Sequence, residues 1–303
     1  MRVRVRVPAT SANLGPGFDA LGLALALHNE VIVEPAADVS VSIEGEGRGR
    51  LDASAKNLVA RAVALAHEVA GRPFAGARLR CVNRIPLSRG LGSSAAAWVG
   101  GLLAANALMG EPLDREALLT VAARAEGHPD NVAAALLGGL TVCCADGLRI
   151  TAVSLPAPRQ IRWVVLLPDR EASTDEARAV LPETLPRADA VFNVQRVSLL
   201  LAALTLGRTD LLEAAMHDRL HQPYRERLFP WMESVATAGR RAGALGCVLS
   251  GAGPSMLAAV REPGAPAVAD AMERALRDAG IGGRALALDV DPVGATWERV
   301  SET

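Results

Sequence analysis

The segment Pro86–Ala96 reads Pro-Leu-Ser-Arg-Gly-Leu-Gly-Ser-Ser-Ala-Ala, and it constrains the fold more than any other stretch of the chain. Gly90 and Gly92 allow a tight turn and a close approach of the backbone to an anion, because neither carries a Cβ. Ser93 and Ser94 then open a helix of small residues whose unpaired first-turn N–H groups and dipole point back at the loop. Ala77–Asn83 reads as a strand delivering the chain into this loop, and the helix behind it runs to about Met109. No Gly-Lys-Ser/Thr follows the turn, so this is not a Walker A sequence. Lys56 is the only lysine in the chain, so a phosphate held here is neutralised by backbone amides, a metal ion or arginine. Alone, the segment also reads as a structural glycine turn with a serine cap, and only the rest of the sequence separates the two readings.

The 303 residues suffice for two domains, and at 50% hydrophobic they supply a large core. Aromatic residues make up 3%, which leaves Ala, Leu and Val to build that core and argues against a stacking platform for nucleic acid. With 32 basic and 33 acidic residues there is no global basic field for nucleic acid or an acidic membrane. Arg2, Arg4 and Arg6 alternate with Val3, Val5 and Val7, as on a half-solvated strand. Cys81, Cys143, Cys144 and Cys247 show no Cys-x-x-Cys spacing and read as reduced core residues, not a disulfide framework or zinc site. Apolar runs such as Ala20–Leu27 are far shorter than the roughly 20 residues of a membrane span, and no signal peptide is visible. A soluble, cytoplasmic protein without nucleic-acid or membrane partners is expected.

Further strands are expected at Arg2–Val7, Leu21–Leu27, Glu30–Pro35, Val39–Glu44, Leu140–Ala145, Ile161–Leu167 and Arg284–Val290. Helices are expected over about Lys56–Ala70, with cap residues offered by Asp52–Ser54, then over Arg115–Ala125, briefly after His128-Pro129-Asp130, and over Ala265–Ala279. Val248–Ser255 reads as the centre of a strand–loop–helix. Hairpin-like strand pairs stand beside helices, which makes the chain α+β rather than a doubly wound sheet. Asp146-Gly147 and Pro156-Ala157-Pro158 mark a boundary, giving domains 1–152 and 153–303.

Three glycine-containing loops, Ser11–Asp19, Leu87–Ser94 and Ser250–Ser255, each sit at a strand end, as loops converging on one polyanionic ligand would. Pro8-Ala9-Thr10-Ser11-Ala12-Asn13-Leu14-Gly15-Pro16-Gly17-Phe18-Asp19 resembles the first signature of the homoserine kinases. Pro86–Ala96 and Ser250-Gly251-Ala252-Gly253-Pro254-Ser255 resemble the second and third motifs of the wider GHMP kinase superfamily. Glu126-Gly127-His128-Pro129-Asp130-Asn131-Val132-Ala133 matches the homoserine branch and not the mevalonate or galactose branches. The matches run through the chain in family order; Ala133-Ala134-Ala135 departs where the family often has a proline, which touches helix geometry more than chemistry.

The resemblance implies a two-domain GHMP kinase fold: an N-terminal ribosomal-protein-like α/β domain and a C-terminal ferredoxin-like domain, with the active site between them. It implies ATP plus L-homoserine giving O-phospho-L-homoserine and ADP on the route to threonine, with Mg²⁺ required, often in a homodimer. Arg178 and Arg225 match carboxylate-binding arginines, whose guanidinium forks donate paired hydrogen bonds; otherwise they would be two surface arginines. Asn13 and Asp19 would orient the substrate, with Asp19 or the Asn13 carbonyl facing its ammonium group, and His128 and Thr174 would line the same pocket. Without the resemblance Asn13 and Asp19 read as Asx-turn residues.

Pro86, Leu87, Ser88, Arg89, Gly90, Leu91, Gly92, Ser93, Ser94, Ala95 and Ala96 form the implied ATP loop, and Asn57 resembles a base-contacting position or is simply a first-turn polar residue. Glu126 with Ser93 or Ser94 would hold Mg²⁺, Ser94 being preferred, since that ion takes one or two protein oxygens and completes its shell with phosphate and water. Asn131 and Asp130 are assigned as groups orienting the attacking hydroxyl without a dedicated base, because phosphoryl transfer is largely positioning and charge stabilisation. Ser250–Ser255 would buttress the pocket and the phosphate loop. A mevalonate- or shikimate-type kinase would make poor use of Asp19 paired with Arg178 and Arg225, since neither substrate has an ammonium group. A non-catalytic relative would not need Glu126, Ser93, Ser94 and both loop glycines together.

Overall fold

Alternating valine and arginine build β1 (Arg2–Ala12), which buries Val3, Val5 and Val7 on one face. The computed structural model describes residues 1–147 and 149–301. β2 (Leu21–Pro35) is one long strand where two were expected. The break between them is a bulge: Pro8 pairs with His28 but Ala9 with Leu25, so Ala26 and Leu27 are skipped beside a proline that has no N–H to give the ladder. β3 (Ser40–Gly45) lies parallel to β4 (Ala77–Asn83), and the right-sized crossover between them is α1 (Leu58–Val69).

Beyond the glycine loop, α2 (Ser93–Leu108) is buried along most of its length, its small residues allowing close packing on every side. α3 (Arg115–Glu126) is capped by Asp114, whose Oδ1 accepts from the Ala117 N–H, and ends at Gly127 with φ +94°. α4 (Asp130–Leu137) runs unbroken through the fully buried Ala133, Ala134 and Ala135, so the missing proline leaves the helix intact. β5 (Leu140–Asp146) and β6 (Arg149–Leu155) form a hairpin added to β2.

A second sheet contains β7 (Ile161–Pro168), β8 (Ala244–Leu249), β9 (Met256–Arg261) and β10 (Gly283–Leu288), all antiparallel in the order β10-β7-β9-β8. Between β7 and β8 come α5 (Thr174–Ala179), α6 (Arg187–Leu206), the short α7 (Leu212–Ala215) and α8 (Gln222–Arg225), then α9 (Met232–Arg241). With α9 before β8 and α10 (Ala265–Asp278) between β9 and β10, the strand order is ferredoxin-like, as expected. The expected strand–loop–helix at Val248–Ser255 is strand–loop–strand. Met256–Arg261 is rich in helix-forming Leu and Ala, but it pairs on both edges with β7 and β8, and tertiary pairing overrides propensity.

One strand was not foreseen. β11 (Thr296–Val300) returns from the second sheet to pair with β1, so the larger, seven-stranded sheet holds both ends of the described chain. A division at 152/153 falls inside β6, and the first sheet takes a strand from beyond it. α6 is long and apolar enough by length and composition to cross a membrane, its 20 residues having a mean hydropathy of 1.3 over an 18-residue window. It docks on the protein through Leu200, Ala203 and Leu204, and its Asn193 side chain bonds Pro16 O and Asp218. Cys81 and Cys143 are buried thiols, but Cys144 is exposed, because neighbours in a strand face opposite sides.

Candidate active site

A cleft of about 590 Å³ opens where the three glycine loops meet, lined from both sheets' connecting segments. At its floor the second loop turns through Ser88, Gly90 and Gly92, all with positive φ, and enters α2. Only glycine fits at two of these positions. A Cβ on Gly90 would lie 2.2 Å from Ser250 O, and one on Gly92 1.9 Å from Thr10 Oγ1. The loop is clamped from behind by the third: Ser250 Oγ donates to Gly90 O at 2.7 Å and contacts Ser11 Oγ at 2.8 Å. Gly251 N in turn donates to Ala12 O, so the three loops are stitched together as expected. Leu87 to Ser94 and Ala96 line the cleft, whereas Pro86 faces a smaller cavity behind it and Ala95 is packed into the core. Those two residues, placed in the loop by sequence, act through the backbone bend and helix packing.

Asn57 lines the same end but spends its amide locally. Its Oδ1 caps α1 at Val59 N and its Nδ2 donates to Asp52 O, so the role as a helix cap is realised and Asn57, not Asp52–Ser54, caps the helix. Lys56 stands beside it at the mouth.

At the rim of the loop, Glu126 ends α3 at the negative end of the helix dipole and faces Ser94, whose Oγ donates to Glu126 Oε1 at 2.5 Å. Burial raises the Glu126 pKa, against the opposing hydrogen bond from Ser94. A buried carboxylate paired with a hydroxyl, both beside the anion loop, is a donor set suited to Mg²⁺ completed by phosphate oxygens and water. His128 follows, its Nδ1–H donating to Asp130 Oδ1 at 2.8 Å while Nε2 lies 3.8 Å from Glu126 Oε1. Burial works against the imidazolium, but the hydrogen bond and charge of Asp130 and the charge of Glu126 outweigh it and raise the His128 pKa. Asp130 Oδ1 also accepts from Asn131 N at 2.6 Å and from Asn131 Nδ2 at 3.3 Å.

The opposite end of the cleft is built from charge. Arg178 donates to both oxygens of Asp19, at 2.7 and 3.1 Å, and this hydrogen bond with Asp19 raises the arginine pKa further. Asp19 is held at φ +54° by its N–H bond to Asn13 Oδ1, and Asn13 Nδ2 donates to Gly251 O. Asn13 thus clasps the first loop to the third. Arg225 is only 1% exposed, and its Nε and Nη1 donate to Ala177 O, Gly251 O and His221 Nδ1. Among the described residues it has no carboxylate at ion-pairing distance. Burial, and next the charge of Arg178, lower its pKa to about 10. Thr174 opens α5 behind a Ser173–Glu176 capping box and lines the cleft beside Arg178.

Sequence reasoning missed Phe18. Its ring lies under both guanidinium groups, 5.4 Å from Arg178 Cζ and 5.5 Å from Arg225 Cζ, and so holds two like charges together. The signal was available: one of only four phenylalanines in the chain occupies a Gly-Pro-Gly loop.

Residues 57–139 match the family described as GHMP kinases N terminal domain, and residues 200–278 match GHMP kinases C terminal. The chain is 44% identical over 280 residues to the homoserine kinase of Carboxydothermus hydrogenoformans, covering 92% of this chain and 91% of that one. It is 44% identical over 296 residues to the homoserine kinase of Persephonella marina, covering 98% of each. Among solved structures, the homoserine kinase of Cytophaga hutchinsonii superposes with a TM-score of 0.90 at 32% identity, over 98% of this chain and 97% of that one.

Proposed function

The chain belongs to the GHMP kinase family and, within it, to the homoserine kinases, and from that premise we infer that its cleft transfers the γ-phosphoryl group of ATP to the side-chain hydroxyl of L-homoserine. The product is O-phospho-L-homoserine, on the route to threonine. The observation that carries the substrate assignment is Arg225: a buried cation without a carboxylate partner among the described residues, beside an Asp19–Arg178 pair at the cleft wall. Burying a charge unpaired is costly, and a ligand carboxylate removes that cost. A zwitterion suits the whole set, its carboxylate taken by Arg178 and Arg225 and its ammonium by Asp19. A substrate with only one charge would separate Asp19 from Arg178 and satisfy only one of them.

The phosphates of ATP lie over the backbone of Leu87–Ser94 and the start of α2, and Asn57 and Lys56 flank the nucleoside end. Ser94 and Glu126 would hold Mg²⁺, which supplies charge neutralisation at the transferring phosphoryl group. Asn131 and Asp130 orient the acceptor hydroxyl, and His128 fixes Asp130 from behind. Catalysis here is positioning and electrostatic stabilisation, which a loose phosphoryl-transfer transition state chiefly demands. α6 exposes Val191 and Val194 one turn apart, apolar side chains that a homodimer interface would cover, and sedimentation would report such a dimer as a two-chain mass.

The test is ADP release from Mg-ATP with L-homoserine, mevalonate, shikimate or galactose, with and without EDTA. Metal-dependent turnover on L-homoserine alone is expected. Turnover on an acceptor without an ammonium group would overturn the charge argument while leaving the family intact.

A further inference from the structure

Thr10 touches no part of the cleft surface, yet it joins the two groups that must meet there. It sits on β1, fully buried, and its backbone N–H donates to Leu91 O in the phosphate loop at 3.1 Å. Its hydroxyl donates to Asn131 Oδ1, at the start of α4, at 2.8 Å. Gly92 covers this bond: the space its missing Cβ would take is filled by Thr10 Oγ1, with Asn131 Oδ1 3.0 Å away. One residue therefore sets the register of the phosphate loop against the acceptor-orienting side chain.

We propose that Thr10 is a positioning residue that locks the Asn131 amide in one orientation, so that residue 131 presents N–H and never a lone pair to the acceptor hydroxyl. The argument is one of hydrogen-bond capacity. The Asp130 carboxylate selects the orientation: the other amide atom lies 3.3 Å from Asp130 Oδ1, where an N–H is attracted and an oxygen would be repelled. In that orientation the Thr10 hydroxyl, which can donate or accept, gives its one hydrogen to Oδ1 and holds that atom away from the ligand. Asp130 chooses the orientation and Thr10 secures it. Nδ2 has two hydrogens, one toward Asp130 and one for the cleft, which Asn131 lines at 8% exposure. The attacking oxygen then accepts a hydrogen bond from residue 131, which turns its own O–H away from that residue and holds its remaining lone pair in a fixed line to the phosphate loop.

This inference rests on the proposed kinase reading. The experiment compares wild type, Thr10→Val, Thr10→Ser, Asn131→Ala and the Thr10→Val/Asn131→Ala double variant for kcat and for both KM values. Thr10→Val keeps the shape and removes the donor; misaligning a reacting group lowers kcat about 30- to 100-fold, with both KM values nearly unchanged. Thr10→Ser restores most of the rate. In the Asn131→Ala background Thr10→Val has no further effect on kcat, a non-additivity that general loosening would not produce. Unchanged kcat in Thr10→Val, or an equal loss in both backgrounds, overturns the role of Thr10. Absence of wild-type turnover on L-homoserine overturns the kinase reading itself, and the inference with it.

Discussion

The two ends of the cleft are made of different material. The proposed nucleotide end is main chain: positive-φ turns at Ser88, Gly90 and Gly92, the opening of α2, and the Gly90 carbonyl gripped from behind by Ser250. The proposed acceptor end is side chain: Asp19, Arg178, Arg225 and His128, with Phe18 under both guanidinium groups. Main-chain donors have no pKa in the working range and no rotamers to lose, so they suit a ligand part that is common to many enzymes. Charged side chains carry the discrimination, because each unmatched charge is penalised when the cleft closes around the wrong ligand.

The contrast predicts opposite failures. At the nucleotide end, adding one carbon is the severe change. Gly92→Ala puts a Cβ on Thr10 Oγ1 at a φ of +64°, and strain plus overpacking cost about 2–5 kcal/mol. Thermal unfolding of this variant should show the loss, and phosphoryl transfer should fall below detection for every acceptor. A stable, active Gly92→Ala protein would mean that the loop does not depend on backbone proximity. At the acceptor end, removing charge is the severe change and the fold survives it. Arg225→Met should raise the KM for L-homoserine roughly 100-fold and leave the KM for ATP unaltered; steady-state kinetics in each substrate separate the two. Equal losses in both KM values would dissolve the distinction between the ends.

The smallest effect is in the empty protein and concerns the seam between them. Both Glu126 and His128 have folded-state pKa values above their ordinary ones, for Glu126 because of burial. Each therefore contributes stability that is fully present below its ordinary pKa and lost as pH rises through the raised value. Glu126→Gln cannot lose a proton, so without nucleotide or metal its Tm should exceed that of wild type by about 1–3 °C at pH 8, and the two should converge near pH 4. Calorimetry across that range checks it; identical Tm values at pH 8 would remove burial as the cause.

What was legible in the sequence follows the same division. Glycines at positions that demand positive φ announce themselves, so the turn at Gly90 and Gly92, the strand before it and α2 after it read off correctly. The ferredoxin-like half followed from motif resemblance more than from local pattern, since Met256–Arg261 looks helical until its two partner strands are known. β2 read as two strands because a bulge interrupts the alternation opposite Pro8. Arg225 was placed by its motif alone: its burial comes from α5, α8 and the third loop together, contacts 26 and 48 residues away that no local spacing encodes. Thr10 lies within the first motif but shows no role in the sequence, because its partner lies 121 residues on. Asn57 carried two readings, and the helix-cap one is realised.

β11 gives the chain an order of assembly. Arg2 to Arg6 on β1 stay an open edge until Thr296–Val300 arrive to pair with them. β1 is thus completed by a strand that follows all those of the second sheet, and a nascent chain carries this unpaired edge until β11 emerges. That edge segment reads Arg-Val-Arg-Val-Arg with its valines buried, and the alternate arginines put charge on the edge strand, which discourages pairing with a stranger. The arginines that looked like a modest solvated face guard the unfinished sheet while the ribosome completes the rest.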